Sequence, residues 1–138
     1  MKPTNDKFFA DSNIFLYLLD EFGYKKDVAK KVLTDVPVIS TQVIAENMNV
    51  LFKKFSDRLT IQQISTHKNT LLNSCTVINI TPAIIETAFD IKTSYSLQWY
   101  DSMIVAAALH ANCSILYSED MQHNLVVKNT LTIINPFI

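Results

Sequence analysis

Four acidic residues occur where predicted strands end or where predicted helices face inward. Asp11 and Asp120 each follow a short apolar strand, whereas Glu46 and Asp101 belong to helical segments. Glu46 lies three residues after Val43 on an inward face, where a carboxylate is costly unless it is paired or binds a cation. Carboxylates gathered in one place repel each other, and hard divalent cations prefer such oxygen ligands. The sequence therefore predicts a site for Mg²⁺ or Mn²⁺.

Each acid, taken singly, also has an ordinary structural explanation. Asp11 could cap the following helix, and Asp120 could lie in a solvated turn. Asp101 suits the N-terminal end of a helix dipole, and Glu46 could reach solvent from the edge of an apolar stripe. Capping or solvation does not explain why all four acids are expected at one side of one small sheet. The four together therefore support a metal site more strongly than any one of them does alone.

Composition excludes several other kinds of phosphate site. The chain has one glycine, Gly23, whereas glycine-rich phosphate loops and dinucleotide folds need several. A net charge of −1 argues against coating nucleic acid through bulk positive potential. His67, His110 and His123 are scattered without zinc-ligand spacing, and His123 is the one we expect nearest the acids because it follows Asp120.

The elements that must position these residues alternate along the chain. Five short segments rich in β-branched or aromatic residues are predicted strands: 7–10, 36–39, 76–80, 114–117 and 131–134. Helical periodicity is found in 13–19, 25–33, 42–55, 61–72, 83–95 and 100–111. This alternation predicts an α/β fold, a three-layer sandwich whose central, mostly parallel sheet of about five strands is flanked by helices. Such sheets bind ligands at the carboxyl ends of their strands.

Nothing in the sequence divides the chain, so we expect one domain over residues 1–138. There is no apolar run of about 18 residues and no apolar stretch of signal-peptide type, so no membrane span and a cytoplasmic location are expected. Cys75 and Cys113 stand alone in apolar surroundings and are predicted to be buried hydrophobic side chains rather than a disulfide.

Four segments carry a family resemblance. They are residues 9–17 (FADSNIFLY), 39–46 (ISTQVIAE), 99–108 (WYDSMIVAAA) and 116–122 (LYSEDMQ). In order and approximate spacing they resemble the PIN domain of VapC-type toxins. The resemblance implies a parallel sheet with flanking helices, a Mg²⁺- or Mn²⁺-dependent endoribonuclease, a homodimer, and inhibition by a partner antitoxin. Residues 53–80 carry no family signature, and we look there for the choice of RNA substrate.

The family's functional positions transfer to particular residues here. Its four acids fall on Asp11, Glu46, Asp101 and Asp120, its Asn falls on Asn13, and the polar residue ahead of the last acid falls on Ser118. The resemblance favours Asp120 over its neighbour Glu119, which we expect to be solvated. It implies that the four acids hold one or two metal ions that activate water against the scissile phosphate, while Asn13 and Ser118 orient the ligands.

Three alternatives were weighed. A haloacid-dehalogenase-like phosphatase needs a second Asp two residues after the first, and this chain has Asn13 there. A phospho-receiver domain needs an Asp at the end of the third strand, and residues 79–81 have none. The serious alternative is a catalytically idle PIN-like module that binds RNA or protein. Lys25 and other lysines could contact RNA or simply be solvated, and Trp99 and Tyr100 could stack a base or pack in the core.

Overall fold

Strands and helices alternate in the computed structural model, which describes residues 6–138. The strands are β1 (Phe8–Ala10), β2 (Val38–Ser40), β3 (Thr76–Ile78), β4 (Ile115–Tyr117), β5 (Val126–Val127) and β6 (Leu131–Ile134). The helices are α1 (Ser12–Leu16), continued by a 3₁₀ turn (Tyr17–Leu19), then α2 (Tyr24–Val32), α3 (Thr41–Lys54), α4 (Ile61–Ser74), α5 (Pro82–Tyr95) and α6 (Trp99–His110). All six predicted helices and all five predicted strands are present.

The strands form one sheet in the order β3-β2-β1-β4-β6-β5. Every pairing is parallel except that of β5 with β6, which confirms the predicted α/β sandwich with a mostly parallel sheet. The sequence analysis missed β5 because two residues are too short to show a strand period. In the centre of the sheet, Phe9 pairs with Val38 on one side and with Leu116 on the other.

Four of the five predicted strands have different bounds in the structure. The first and the fourth each begin one residue later than predicted. The second begins at Val38 rather than at Val36, which is 66% exposed and precedes Pro37. The third ends at Ile78 instead of continuing to Ile80. Proline has no amide hydrogen to donate to a sheet, so the later start of the second strand follows from local chemistry.

Helix α6 packs directly into the core. Ala106, Ala107 and Ala108 are fully buried, as their small side chains predicted. Such side chains let a helix approach its neighbours closely, and α6 packs extensively against α5. Helix α5 begins at Pro82, a residue type suited to a first helical turn, with the Thr81 hydroxyl accepting from the Ile84 amide.

Both cysteines are free, as predicted. Cys113 is buried and Cys75 half-buried, and burial raises the pKa of each thiol to about 11. Among residues 6–138, none of the helices has the length and apolar character that a membrane span requires.

Candidate active site

The four predicted acids line one cleft of about 340 Å³ at the carboxyl ends of the central strands. Asp11 directly follows β1, and Asp120 lies in the turn that follows β4. Glu46 belongs to the second turn of α3, and Asp101 to the first turn of α6. The remaining residues that line the cleft are Ser12, Asn13, Leu16, Asn49 and Val50. The sheet thus brings together acids that lie far apart in the chain.

Asp11 is the most buried of the four, with 6% of its surface exposed. Its Oδ1 accepts from the Ser12 amide at 2.7 Å, which caps α1, and its Oδ2 accepts from the Ser118 hydroxyl at 2.8 Å. Asp11 therefore caps α1 and also lines the cleft. Burial raises the pKa of Asp11 to about 7, and the charges of Glu46 and Asp101 add to that rise, while the two hydrogen bonds oppose it.

Asp101 is half-buried and lies near the other acids of the cleft. Burial raises its pKa, and the nearby charges of Asp120 and Glu46 raise it further. The four carboxylates are therefore electrostatically coupled, and a cation in the cleft would relieve their mutual repulsion.

Glu46 is held by two side chains that the sequence analysis did not single out. The Ser12 hydroxyl donates to Oε1 of Glu46, and Nε2 of Gln42 donates to Oε2 at 3.1 Å. The same Gln42 nitrogen also donates to the Tyr100 carbonyl oxygen at 3.0 Å, which links α3 to the start of α6. The sequence contained a signal for this contact, because Gln42 lies four residues before Glu46 and residues four apart share a helix face.

Asn13 contacts the most exposed of the acids. Its Nδ2 donates to Oδ2 of Asp120 at 3.0 Å. Its Oδ1 is buried, and no hydrogen-bond partner for it is found within residues 6–138. An unpartnered buried oxygen beside four carboxylates is costly, and it suits a hydrated cation that donates hydrogen bonds through its water.

Glu119 is not solvated, and that expectation was wrong. Its carboxylate forms an ion pair with Lys25 and accepts from the Tyr17 hydroxyl at 2.6 Å, outside the cleft lining. Burial raises the pKa of Glu119, but these hydrogen bonds outweigh it and hold the pKa below its usual value. His123 does not line the cleft, and its Nδ1 accepts from the Asn135 amide at 2.9 Å.

Lysine and aromatic side chains were each expected either to contact RNA or to have a structural role. Lys25 is engaged by Glu119 and lies over the rings of Tyr17 and Phe137. Trp99 packs against the core, whereas Tyr100 is 65% exposed beside Asp101.

The donors fit an open, hydrated metal site better than a closed one. Within the described part of the chain, no three acidic, histidine or cysteine side chains are arranged as a ready-made cage for a metal ion. Mg²⁺ commonly keeps several waters and binds through only one or two carboxylates. Buried Asp11, half-buried Asp101 and the free oxygen of Asn13 match that kind of binding.

The chain matches known proteins in family and in fold. A family model described as PIN domain matches residues 8–128. No curated protein sequence matches the chain. Among solved structures, it is similar to a toxin–antitoxin complex from Klebsiella pneumoniae at 20% identity with a TM-score of 0.70, over 94% of this chain and 97% of that one.

Two further structures share the fold. One is VapC20 of Mycobacterium tuberculosis, a toxin that cleaves the sarcin–ricin loop, at 16% identity and a TM-score of 0.66, over 83% of this chain and 90% of that one. The other is VapBC2 of Rickettsia felis bound to promoter DNA, at 15% identity and a TM-score of 0.67, over 91% and 96% of the two chains. At these identities the likeness shows the fold.

Proposed function

The chain belongs to the PIN-domain family, and on that premise we propose that it is a metal-dependent endoribonuclease that hydrolyses RNA phosphodiester bonds. The observation that carries the proposal is the convergence of Asp11, Glu46, Asp101 and Asp120 on one cleft. Four carboxylates from four separate segments, two of them with raised pKa values, form a site suited to a hard divalent cation such as Mg²⁺ or Mn²⁺.

Each acid has a part in this proposal. Asp11 and Asp101 would hold the metal, and Glu46 and Asp120 would complete its surroundings. When bound, the cation neutralises charge on the scissile phosphate and lowers the pKa of a water molecule.

The chain's own hydrogen bonds keep these acids in place before substrate arrives. Ser118 and the Ser12 amide orient the two oxygens of Asp11, and Asn13 orients Asp120. Such preorganisation reduces the rearrangement needed when charge develops on the phosphate.

We also propose that the chain is the toxin of a toxin–antitoxin pair, bound by a partner antitoxin and acting as a homodimer. Support comes from the fold, because the solved structures that it resembles include toxin–antitoxin complexes. The expression test is direct: induction in bacteria should arrest growth, and the Asp101→Asn variant should not.

The deciding experiment is RNA cleavage by the purified protein with Mn²⁺, with the new RNA ends mapped. We expect Asp101→Asn to lower the cleavage rate by roughly 100-fold or more, since loss of a metal ligand removes several kcal/mol of transition-state stabilisation. The matched control is Asp90→Asn, an exposed aspartate on α5 paired with Lys128, which should cleave like the wild type.

Two results would contradict the proposal. Equal cleavage by the wild type and a folded Asp101→Asn variant would mean that the cleft is not the active site. RNA binding without cleavage by the wild type would favour the idle binding module instead.

A further inference from the structure

A chain of buried hydrogen bonds connects α4 to the candidate site through α3. His67 on α4 is 7% exposed, and Asn47 on α3 is completely buried. Nε2 of His67 lies 2.9 Å from Oδ1 of Asn47, and Nδ2 of Asn47 donates to the Ser12 carbonyl oxygen at 3.2 Å. Neither His67 nor Asn47 lines the cleft.

The directions of these hydrogen bonds follow from their partners. Nδ2 of Asn47 faces two carbonyl oxygens, those of Ser12 and Val43, which can only accept. Oδ1 of Asn47 is therefore the atom turned to His67, and Nε2 of His67 must carry a hydrogen and donate it. Burial lowers the pKa of His67, which favours the neutral imidazole.

Ser12 is the residue on which this chain of hydrogen bonds ends, and it contacts two of the four acids. Its amide donates to Oδ1 of Asp11, and its hydroxyl donates to Oε1 of Glu46. Its carbonyl oxygen accepts from Asn47. The position of Ser12 therefore affects both acids at once.

We propose that His67 and Asn47 are positioning residues of the metal site. Through the Ser12 carbonyl oxygen they hold Ser12, and thereby Asp11 and Glu46, in the orientation that binds the cation. This inference rests on the proposed function. An apolar side chain at position 67 would pack α4 against α3 without burying a polar group, so helix packing alone does not require a histidine there.

The test replaces the histidine and measures both the metal-free and the metal-bound protein. His67→Phe and the smaller His67→Leu remove the donor, and His67→Gln keeps an Nε2 hydrogen. In the metal-free protein we expect amide hydrogen exchange at Ser12 to become about 10-fold faster or more in the apolar variants. Their Mn²⁺ dissociation constant, measured by calorimetry, should rise roughly 10- to 100-fold, the usual effect of losing a residue that orients a ligand.

Catalysis should follow the same pattern. In the apolar variants kcat for RNA cleavage should fall while KM for RNA changes little, and His67→Gln should recover most of the loss. The matched control is His110→Phe, an exposed histidine at the far end of α6 that contacts Thr87. It should leave Ser12 exchange, Mn²⁺ affinity and kcat unchanged.

The outcomes separate this inference from the proposed function. If a folded apolar variant is less stable but keeps wild-type Ser12 exchange and Mn²⁺ affinity, His67 has only a packing role and the inference fails. If the wild type itself neither binds Mn²⁺ nor cleaves RNA, the proposed function fails. Amide hydrogen exchange at Ser12 needs no metal, so it still reports in that case whether His67 orients Ser12.

Discussion

The Ser118 hydroxyl donates a 2.8 Å hydrogen bond to Oδ2 of Asp11, although 107 residues separate the two in the chain. They meet because β1 and β4 are parallel neighbours and both residues directly follow their strands. The Asp11 amide also donates to the Tyr117 carbonyl oxygen at 3.0 Å, so the backbone contact extends one residue past β1. Ser118 is completely buried, so water cannot easily replace its hydroxyl.

Replacing Ser118 by alanine tests this contact. The hydrogen bond lowers the pKa of Asp11, so Ser118→Ala should raise that pKa above its present value of about 7. The variant should also lose about 1 kcal/mol of stability. Carboxyl ¹³C NMR titration of the metal-free protein measures the pKa. Ser114→Ala, at the opposite end of β4, is the matched control, and an unchanged Asp11 pKa in Ser118→Ala would count against the assignment.

Metal-free stability should depend on pH through Asp11. The unfolded chain releases this proton near pH 3.8, whereas the folded protein keeps it until about pH 7. The contribution of Asp11 to stability is therefore fully present below about pH 4 and is lost as the pH rises to about 7. The slope is up to about 1.4 kcal/mol per pH unit.

The Asp11→Asn variant isolates this contribution because asparagine does not titrate. Urea unfolding of both proteins in EDTA, from about pH 4 to pH 8, measures the free energy of unfolding. As the pH rises, this free energy should increase in the variant relative to the wild type. The same variant should lose RNA cleavage. A stability difference that does not change with pH would show that Asp11 titrates near its ordinary value.

Addition of Mn²⁺ should stabilise the wild-type fold. At a Mn²⁺ concentration 100 times the dissociation constant, the expected gain is about 2.7 kcal/mol, visible as a rise of several degrees in Tm. Asp101→Asn should lose most of this rise, whereas Asp90→Asn should keep it. A rise of equal size in all three proteins would indicate metal binding elsewhere on the surface.

Lys25 should keep Glu119, and with it the adjacent Asp120, in place. Hydrogen bonds from Lys25 and Tyr17 hold the pKa of Glu119 below its usual value in spite of burial. Lys25→Met should therefore raise the pKa of Glu119 and lower RNA cleavage several-fold. NMR titration and cleavage assays measure the two effects. Lys128→Met, which breaks the exposed pair with Asp90, should change neither.

Much of this protein could be predicted from local sequence. Six helices and five of the six strands follow from hydrophobic period, and Pro82 marks the start of α5 because proline suits a first helical turn. The four acids could be predicted as neighbours because Asp11 and Asp120 follow parallel strands and Glu46 and Asp101 lie on or near inward helix faces. Asn13 was expected only from the family resemblance. Periodicity and strand ends are local properties, so the local amino-acid sequence determines them.

Only the tertiary structure decided which partner each polar group takes. Glu119 and Asp120 are adjacent in sequence, yet one pairs with Lys25 and the other lines the cleft. Gln42, Ser12, Asn47 and His67 became relevant only when α1, α3 and α4 packed together. Hydrogen bonds and pKa shifts depend on distances of a few ångströms and on burial, which arise from packing between segments and are not encoded in residue spacing.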